Sequence, residues 1–141
     1  MKKGLAPRSF SEGGFTLIEI LVVTTIIVLL TAITAVTYST FLKQSRDAKR
    51  KADLSQLGAA LEMYRSNNDT YPTTSLSQLT APTVYIQTIP TDPKNPTYTY
   101  YYSATASDYT LGSYLESGGA VCMAGQCGGS CNYCIGPYGQ K

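Results

Sequence analysis

Residues 14–36 of the chain read GFTLIEILVVTTIIVLLTAITAV, an apolar run whose only charged residue is Glu19. A helix needs about 20 predominantly apolar residues to cross the roughly 30 Å hydrocarbon layer of a bilayer. Residues 15–36 are long enough to do this. The run therefore predicts a membrane-spanning helix at residues 15–36.

The helix is predicted to continue through residues 37–67 as an amphipathic segment. After Phe15 no Pro occurs before Pro72, and the only Gly is Gly58, so the first strong stop signal is the Asn-Asn-Asp cluster at 67–69. One apolar stripe recurs at helical spacing and consists of Leu54, Leu57, Leu61 and Tyr64. A second face carries mostly small side chains, namely Phe41, Ala48, Ala52 and Ala59. We expect one face to hold the C-terminal domain and the other a neighbouring helix, although a single helix docked on its own domain explains the leucine stripe equally well.

Residues 68–141 predict a small β-rich domain, which makes the fold class α+β: a long N-terminal helix with a small antiparallel sheet. Residues 75–78 resemble a capping box for one short helical turn. Residues 98–103 and 109–114 are rich in Tyr and Thr and predict an antiparallel hairpin. The tail from Gly118 onward is rich in Gly and Cys.

Composition argues against two large classes of function. A net charge of +2 in 141 residues gives no basic footprint of the kind that binds nucleic acid, so no nucleic-acid partner is predicted. The sequence contains no His, which removes Ser/His and Cys/His nucleophile pairs and imidazole ligands for zinc. The sequence therefore predicts no enzyme.

Residues 1–14 read MKKGLAPRSFSEGG and predict a targeting leader that stands apart from the fold. In a secretory signal the cleavage site follows the apolar run, whereas here Gly13 and Gly14 precede it, so the apolar segment is expected to be retained. Cations flank both ends of the span, at positions 2–8 and 43–51. Charge alone therefore leaves the orientation in the membrane open.

The motif Gly-Phe-Thr-Leu-Ile-Glu at 14–19, between a short basic leader and an apolar helix, resembles the processing site of the type IV pilin and pseudopilin family. The resemblance implies that a prepilin peptidase cuts between Gly14 and Phe15 and methylates the amine of Phe15. It also implies a single-pass protein of the inner membrane, surrounded by lipid, with its C-terminal domain outside the cytoplasm. An inner-membrane assembly platform would then build many copies into a helical filament. A glycine linker before an uncleaved signal anchor is the alternative.

The presence of Glu19 in an apolar span requires an explanation, because inserting an acid there costs roughly 2.5 kcal/mol or more on insertion scales. The resemblance implies that Glu19 neutralises the amine of Phe15 in a neighbouring subunit during assembly. Both charges are costly alone and tolerable together. The alternative is a first-turn acid that favours its own helix N-terminus, which is worth about 0.3–1 kcal/mol.

The globular part adds a second resemblance. Residues 61–64, 67, 71–74 and 89–93, with the Tyr-rich hairpin after them, look like the major pseudopilin of type II secretion systems and the short type IV pilins close to it. The implied function is a structural filament subunit, and these motifs leave pilus and pseudopilus both open. Major pseudopilins carry calcium in a C-terminal loop. Glu116 is the only acid from Leu115 to the end, so no cofactor is predicted and calcium rests on the resemblance alone.

The C-terminal tail carries all four cysteines: Cys122, Cys127, Cys131 and Cys134. Outside the cytoplasm, four cysteines in a small loop-rich segment most often form two disulfides, with three possible connectivities. A four-thiolate zinc or iron–sulfur site is the rival, although only Cys131 and Cys134 have the paired CxxC spacing.

A different class of function also fits the anchor. In this alternative the chain is a single-pass, membrane-anchored extracytoplasmic binding module whose Tyr-rich hairpin contacts a ligand, and no filament forms. Tyr surfaces suit recognition, yet exposed Tyr is also common on ordinary strands. Cleavage after Gly14 would argue against this alternative.

Overall fold

A computed structural model describes residues 13–73, 75–122 and 125–141. The chain divides into two compact units, Met1–Tyr38 and Ser39–Lys141. Of the predicted leader, residues 1–12 lie outside the described residues. The elements in chain order are the helix α1 (Leu17–Asn68), a 3₁₀ turn (Leu76–Leu79) and the strands β1 (Tyr101–Ala104), β2 (Tyr109–Ser113), β3 (Tyr133–Gly136) and β4 (Gly139–Gln140).

Helix α1 confirms the predicted long helix and ends at the predicted turn cluster. Its last residue is Asn68, whose side-chain amide donates a hydrogen bond of 2.9 Å to the carbonyl of Tyr64. Asp69 follows with a φ of 59°, the left-handed conformation that commonly terminates helices. The 3₁₀ turn after it is capped by Ser75, whose hydroxyl oxygen accepts from the amide of Ser77.

The core of the second unit forms around the leucine stripe of α1. Leu54, Leu57 and Leu61 are fully buried, which confirms the stripe. Ala60 of α1 belongs to the same buried cluster. The remaining members come from the 3₁₀ turn, the loops and the sheet: Tyr71, Leu79, Ile86, Tyr109 and Leu111. Gly58 makes this close packing feasible, because a Cβ at that position would lie 3.1 Å from the hydroxyl oxygen of Tyr109. Phe41 and the alanines of the second face are exposed.

The sheet is an antiparallel meander in the order β1-β2-β3-β4. The predicted hairpin is present, with Tyr102 opposite Leu111. Its first strand begins at Tyr101, three residues later than predicted, since Tyr98 lies in a turn where its amide donates to the carbonyl of Lys94. Strands β3 and β4 come from the tail, where no strands were predicted. Their short Gly- and Cys-rich sequences carry little β signal of their own. The pairing of β3 with β2, and of β4 with β3, stabilises them instead.

The tail packs tightly against the rest of the second unit. Cys127 accepts a hydrogen bond of 3.2 Å from the amide of Thr99. Gly128 has a φ of +81°, and a Cβ there would collide with the carbonyl of Thr97. Gly112 on β2 lies directly under the cystines, because its Cβ would be 3.1 Å from the sulfur of Cys131. At position 128, only glycine can both adopt the positive φ and fit into the available space.

Candidate functional site

The bond between Gly14 and Phe15 lies in exposed, non-helical backbone. Helix α1 begins two residues later, at Leu17. Among the described residues, none has an atom within 4 Å of the position that a Cβ would take at Gly13 or Gly14, and Phe15 is 78% exposed. A protease needs an extended and accessible backbone, and the two glycines offer one next to the helix.

Thr16 and Glu19 form a reciprocal capping box at the start of α1. The hydroxyl oxygen of Thr16 accepts from the amide of Glu19 at 3.3 Å, and the Glu19 carboxylate accepts from the amide of Thr16 at 3.5 Å. Two amides that have no partner within the helix are thereby satisfied. The carboxylate is thus held beside the residue that follows Phe15, at the end of the helix where negative charge is favourable.

The first half of α1 has no apolar partner within the described part of its unit. Residues Leu17–Ala35 form a span with a mean hydropathy of 2.5, and none of it is buried. The threonine hydroxyls of the span, and that of Thr37 just after it, are satisfied within the helix. Each donates to a carbonyl three or four residues earlier: Thr24, Thr25, Thr31, Thr34 and Thr37. A helix that is apolar on all sides requires lipid or other helices around it.

The four cysteines form two nested disulfides in the structure, Cys122–Cys134 and Cys127–Cys131. Cys127, Cys131 and Cys134 are buried. The sequence left three connectivities open, and this is the one that joins the start of the tail to β3. Across the described residues, no group of three or more His, Cys, Asp or Glu side chains is arranged to hold a metal ion.

A buried ion-pair cluster centred on Arg50 lies in the second unit. The Arg50 side chain is fully buried, and its guanidinium donates to both oxygens of Asp92, at 2.7 and 3.0 Å. Nη1 of the same group donates to Asp47 at 2.8 Å and to Glu116 at 3.0 Å. Glu116 also accepts from Arg46 and from Lys94. The cluster, which we call the Arg50 cluster, has six members: Arg46, Asp47, Arg50, Asp92, Lys94 and Glu116.

The charges in the Arg50 cluster stabilise one another. Hydrogen bonds from Arg46, Lys94 and Arg50 outweigh burial and hold the pKa of Glu116 well below its ordinary value of 4.5. Burial disfavours the charge on Arg50, but the hydrogen bonds to Asp92, Asp47 and Glu116 outweigh this effect of burial and raise the pKa of Arg50. Because the folded pKa of Glu116 is depressed, its stabilising contribution is present above about pH 4.5 and is lost as the pH falls below that value.

The residues that match the sequence model of a known protein family cover most of the second unit. Residues 38–125 match the sequence model of the family described as type II secretion system (T2SS), protein G. The chain belongs to this protein G family. The type II secretion system core protein G of Pseudomonas aeruginosa is 30% identical, over 77% of this chain and 89% of that protein. The protein of the same name from Vibrio cholerae serotype O1 is also 30% identical, over 77% of this chain and 85% of its own length. No solved structure is significantly similar to the chain.

Membership in the protein G family confirms the resemblance inferred from the globular motifs. The family match begins at residue 38, so it rests on residues other than those of the processing motif at 14–19. It also ends before Cys127, Cys131 and Cys134. Most of the disulfide-linked tail therefore lies beyond the residues that the family model matches.

The sequence predictions missed the Arg50 cluster, although a signal was present. Arg50, Leu54, Leu57 and Leu61 are spaced by four, three and four residues, so Arg50 extends the buried stripe of α1 by one turn. In the sequence, Arg50 is one of the cations at positions 43–51 that follow the span, and their charge bears there only on the orientation in the membrane. Its burial requires acids that are far away in sequence, Asp92 and Glu116, and local patterns do not identify such partners.

Proposed function

We propose that this chain is the structural subunit of a type II secretion pseudopilus, cut after Gly14 and polymerised through α1. The motif at residues 14–19 and the family match support different parts of this proposal. The observation that carries it is the span Leu17–Ala35, which is apolar on every side and unburied. Such a surface is stable in lipid before assembly and among other copies of α1 afterwards.

In this proposal a prepilin peptidase removes residues 1–14 and methylates the amine of Phe15. The leader lies in the cytoplasm, the span crosses the inner membrane, and Ser39–Lys141 lies outside. An assembly platform in the inner membrane then transfers subunits from lipid into the growing filament. The work of the subunit is mechanical, and we assign it no catalytic step.

Glu19 gives the polymerisation its register. Insertion scales give roughly 2.5–3.5 kcal/mol for an acid at the centre of a span. Glu19 lies in the first turn of α1, so its own cost is smaller than this. The amine of Phe15 stays cationic when it is methylated. Pairing Glu19 of one subunit with the amine of Phe15 in the next removes both unpaired charges. The capping box with Thr16 keeps the carboxylate at the correct end of the helix before the partner arrives.

The protein G family favours a secretion pseudopilus over a surface pilus, a choice that the sequence motifs left open. It also favours a filament subunit over the membrane-anchored binding module, because the relatives are named as core proteins of a secretion system. The Tyr-rich hairpin is then an ordinary part of the sheet.

Processing is tested by coexpressing the chain with a prepilin peptidase and measuring the intact mass of the membrane-purified product. The expected product begins at Phe15 and carries one added methyl group. The variant Gly14→Leu places a bulky side chain next to the cut and is expected to keep the leader. An uncleaved wild-type chain in the presence of an active peptidase would contradict the proposal.

The role of Glu19 is tested with two variants, one that removes its charge and one that removes the capping box it forms with Thr16. Glu19→Gln removes the charge, whereas Thr16→Ala removes the other half of the capping box and keeps the carboxylate. Both variants are expected to insert and to be processed. Only Glu19→Gln should lose incorporation into sheared filaments, by more than about tenfold if one uncompensated charge of 1.4 kcal/mol or more remains. Equal loss in the two variants would reduce Glu19 to a helix cap.

A further inference from the structure

The Arg50 cluster joins three segments of the second unit that are distant in sequence. Arg46, Asp47 and Arg50 lie on α1, Asp92 and Lys94 on the loop between the 3₁₀ turn and β1, and Glu116 on the loop after β2. The amides of Glu116 and Ser117 also donate to Asp47, at 2.9 and 2.8 Å. The loop at 115–118 is therefore attached to the helix both through its backbone and through its acidic side chain.

This loop begins the region where the family resemblance implies a calcium ion. The carboxylates near it do not fit a cation site, because internal donors already occupy their oxygens. Asp92 accepts from Arg50 through both oxygens and from the amide of Lys94. Asp47 accepts from Arg50 and from Ser117, and Glu116 accepts from three cationic side chains.

The charge balance leads to the same conclusion. Three cations, Arg46, Arg50 and Lys94, face three acids, Asp47, Asp92 and Glu116. A divalent cation needs several carboxylate or carbonyl oxygens at 2.3–2.6 Å. It could recruit these carboxylates only by displacing a guanidinium that is itself fully buried.

We propose that the Arg50 guanidinium is the internal cation that holds the loop at 115–118, and that this chain fixes the loop without calcium. An arginine suits this position better than a lysine. Its planar group directs Nε and Nη2 to one carboxylate and Nη1 to two others, a fork that a point charge cannot reproduce.

The first test measures calcium directly on the processed full-length chain in detergent micelles. Equilibrium dialysis against radioactive calcium, and thermal unfolding followed by the near-ultraviolet circular dichroism of tyrosine, are run with calcium chloride and with EGTA. All tyrosines except Tyr38 lie in Ser39–Lys141, so the signal reports on this unit. The expected result is no stoichiometric binding and the same unfolding midpoint in both buffers.

The second test changes the cation. Arg50→Met keeps an apolar chain but leaves the buried Asp47 and Asp92 and the partly buried Glu116 without their central partner, and it should lower the unfolding midpoint by more than about 10 °C. Arg50→Lys should recover only part of that loss. Lys49→Met is the matched control, since Lys49 is the exposed neighbour on α1, and its midpoint should stay within about 2 °C of the wild type.

Two results would overturn the proposal. One is stoichiometric calcium binding by the wild type, with a midpoint that rises in calcium and falls in EGTA. The other is an Arg50→Met chain as stable as the Lys49→Met control. If Arg50→Met does not fold at all, the calcium measurement on the wild type still decides the question.

Discussion

Removing the outer disulfide, Cys122–Cys134, should destabilise the second unit substantially, although the loop that this bridge closes is short. Cys122 and Cys134 are 12 residues apart, and the inner bridge between Cys127 and Cys131 closes a loop with a separation of 4. By the loop-entropy relation, bridges of these lengths stabilise by about 3 and about 2 kcal/mol, respectively. The inner bridge shortens the outer loop, but the cost depends only on the logarithm of loop length, so the outer value changes little.

The structure predicts that losing the outer bridge also weakens the sheet. Cys134 lies on β3 opposite Gly112 of β2, so the bridge ties the start of the tail to the middle of the sheet. For a unit of this size, 1 kcal/mol corresponds to roughly 4–8 °C in the unfolding midpoint. The double variant Cys122→Ser/Cys134→Ser should therefore unfold about 12–24 °C below the wild type, and Cys127→Ser/Cys131→Ser about 8–16 °C below it.

The assay combines thermal unfolding, followed by tyrosine circular dichroism, with a mass-spectrometric count of alkylated thiols. Without reductant, the denatured wild type should take up no alkylating groups, and each double variant should behave in the same way because its remaining pair is closed. Four alkylated thiols in the unreduced wild type would refute the disulfides. Midpoints equal to that of the wild type would refute the energetic reasoning.

Three further predictions concern packing and titration in the same unit. Leu57→Ala should lower the free energy of unfolding by about 3 kcal/mol, because Leu57 is fully buried. Met63→Ala, at an exposed site on the same helix, should lower it by under about 0.5 kcal/mol. Equal urea midpoints for the two variants would contradict the packing. Gly128→Ala and Gly118→Ala both force a side chain to positive φ, at about 1–2 kcal/mol, but only position 128 is also sterically closed, so its loss in stability should be larger. Burial raises the pKa of Tyr109 to about 12, so its stabilising effect is complete below about pH 10 and is lost as the pH approaches 12. An ultraviolet titration should therefore show a late tyrosine fraction that ionises as the fold is lost, and simultaneous ionisation of all twelve tyrosines near pH 10 would contradict this.

The helix and hairpin could be predicted because their signals are local. The 3.6-residue spacing of Leu54, Leu57 and Leu61 and the turn cluster at 67–69 determine the helix face and the helix end. Two runs rich in Tyr and Thr, on either side of a short polar turn, predict β1 and β2. Each of these patterns predicts its element from neighbouring residues alone, without knowledge of the distant parts of the chain.

Strands β3 and β4 and the Arg50 cluster could not be predicted because they depend on distant partners. Ile135 lies opposite Leu111 of β2, and the burial of Arg50 depends on acids more than 40 residues away. The cysteine pairing belongs to the same class, since four cysteines allow three connectivities and only the folded chain selects one. Gly14, Phe15 and Glu19 were found by a motif, and their roles in processing and assembly stay predictions.

The most direct test of assembly through a processed α1 is the mass of the chain recovered from sheared filaments. The chain should be coexpressed with a prepilin peptidase and an assembly system, and the filament fraction should be separated from the membrane fraction before measurement. We expect every filament-derived chain to begin at an N-methylated Phe15, with uncut chains confined to the membrane. Filaments built from chains that retain residues 1–14, or a processed chain that never leaves the membrane fraction, would contradict the account.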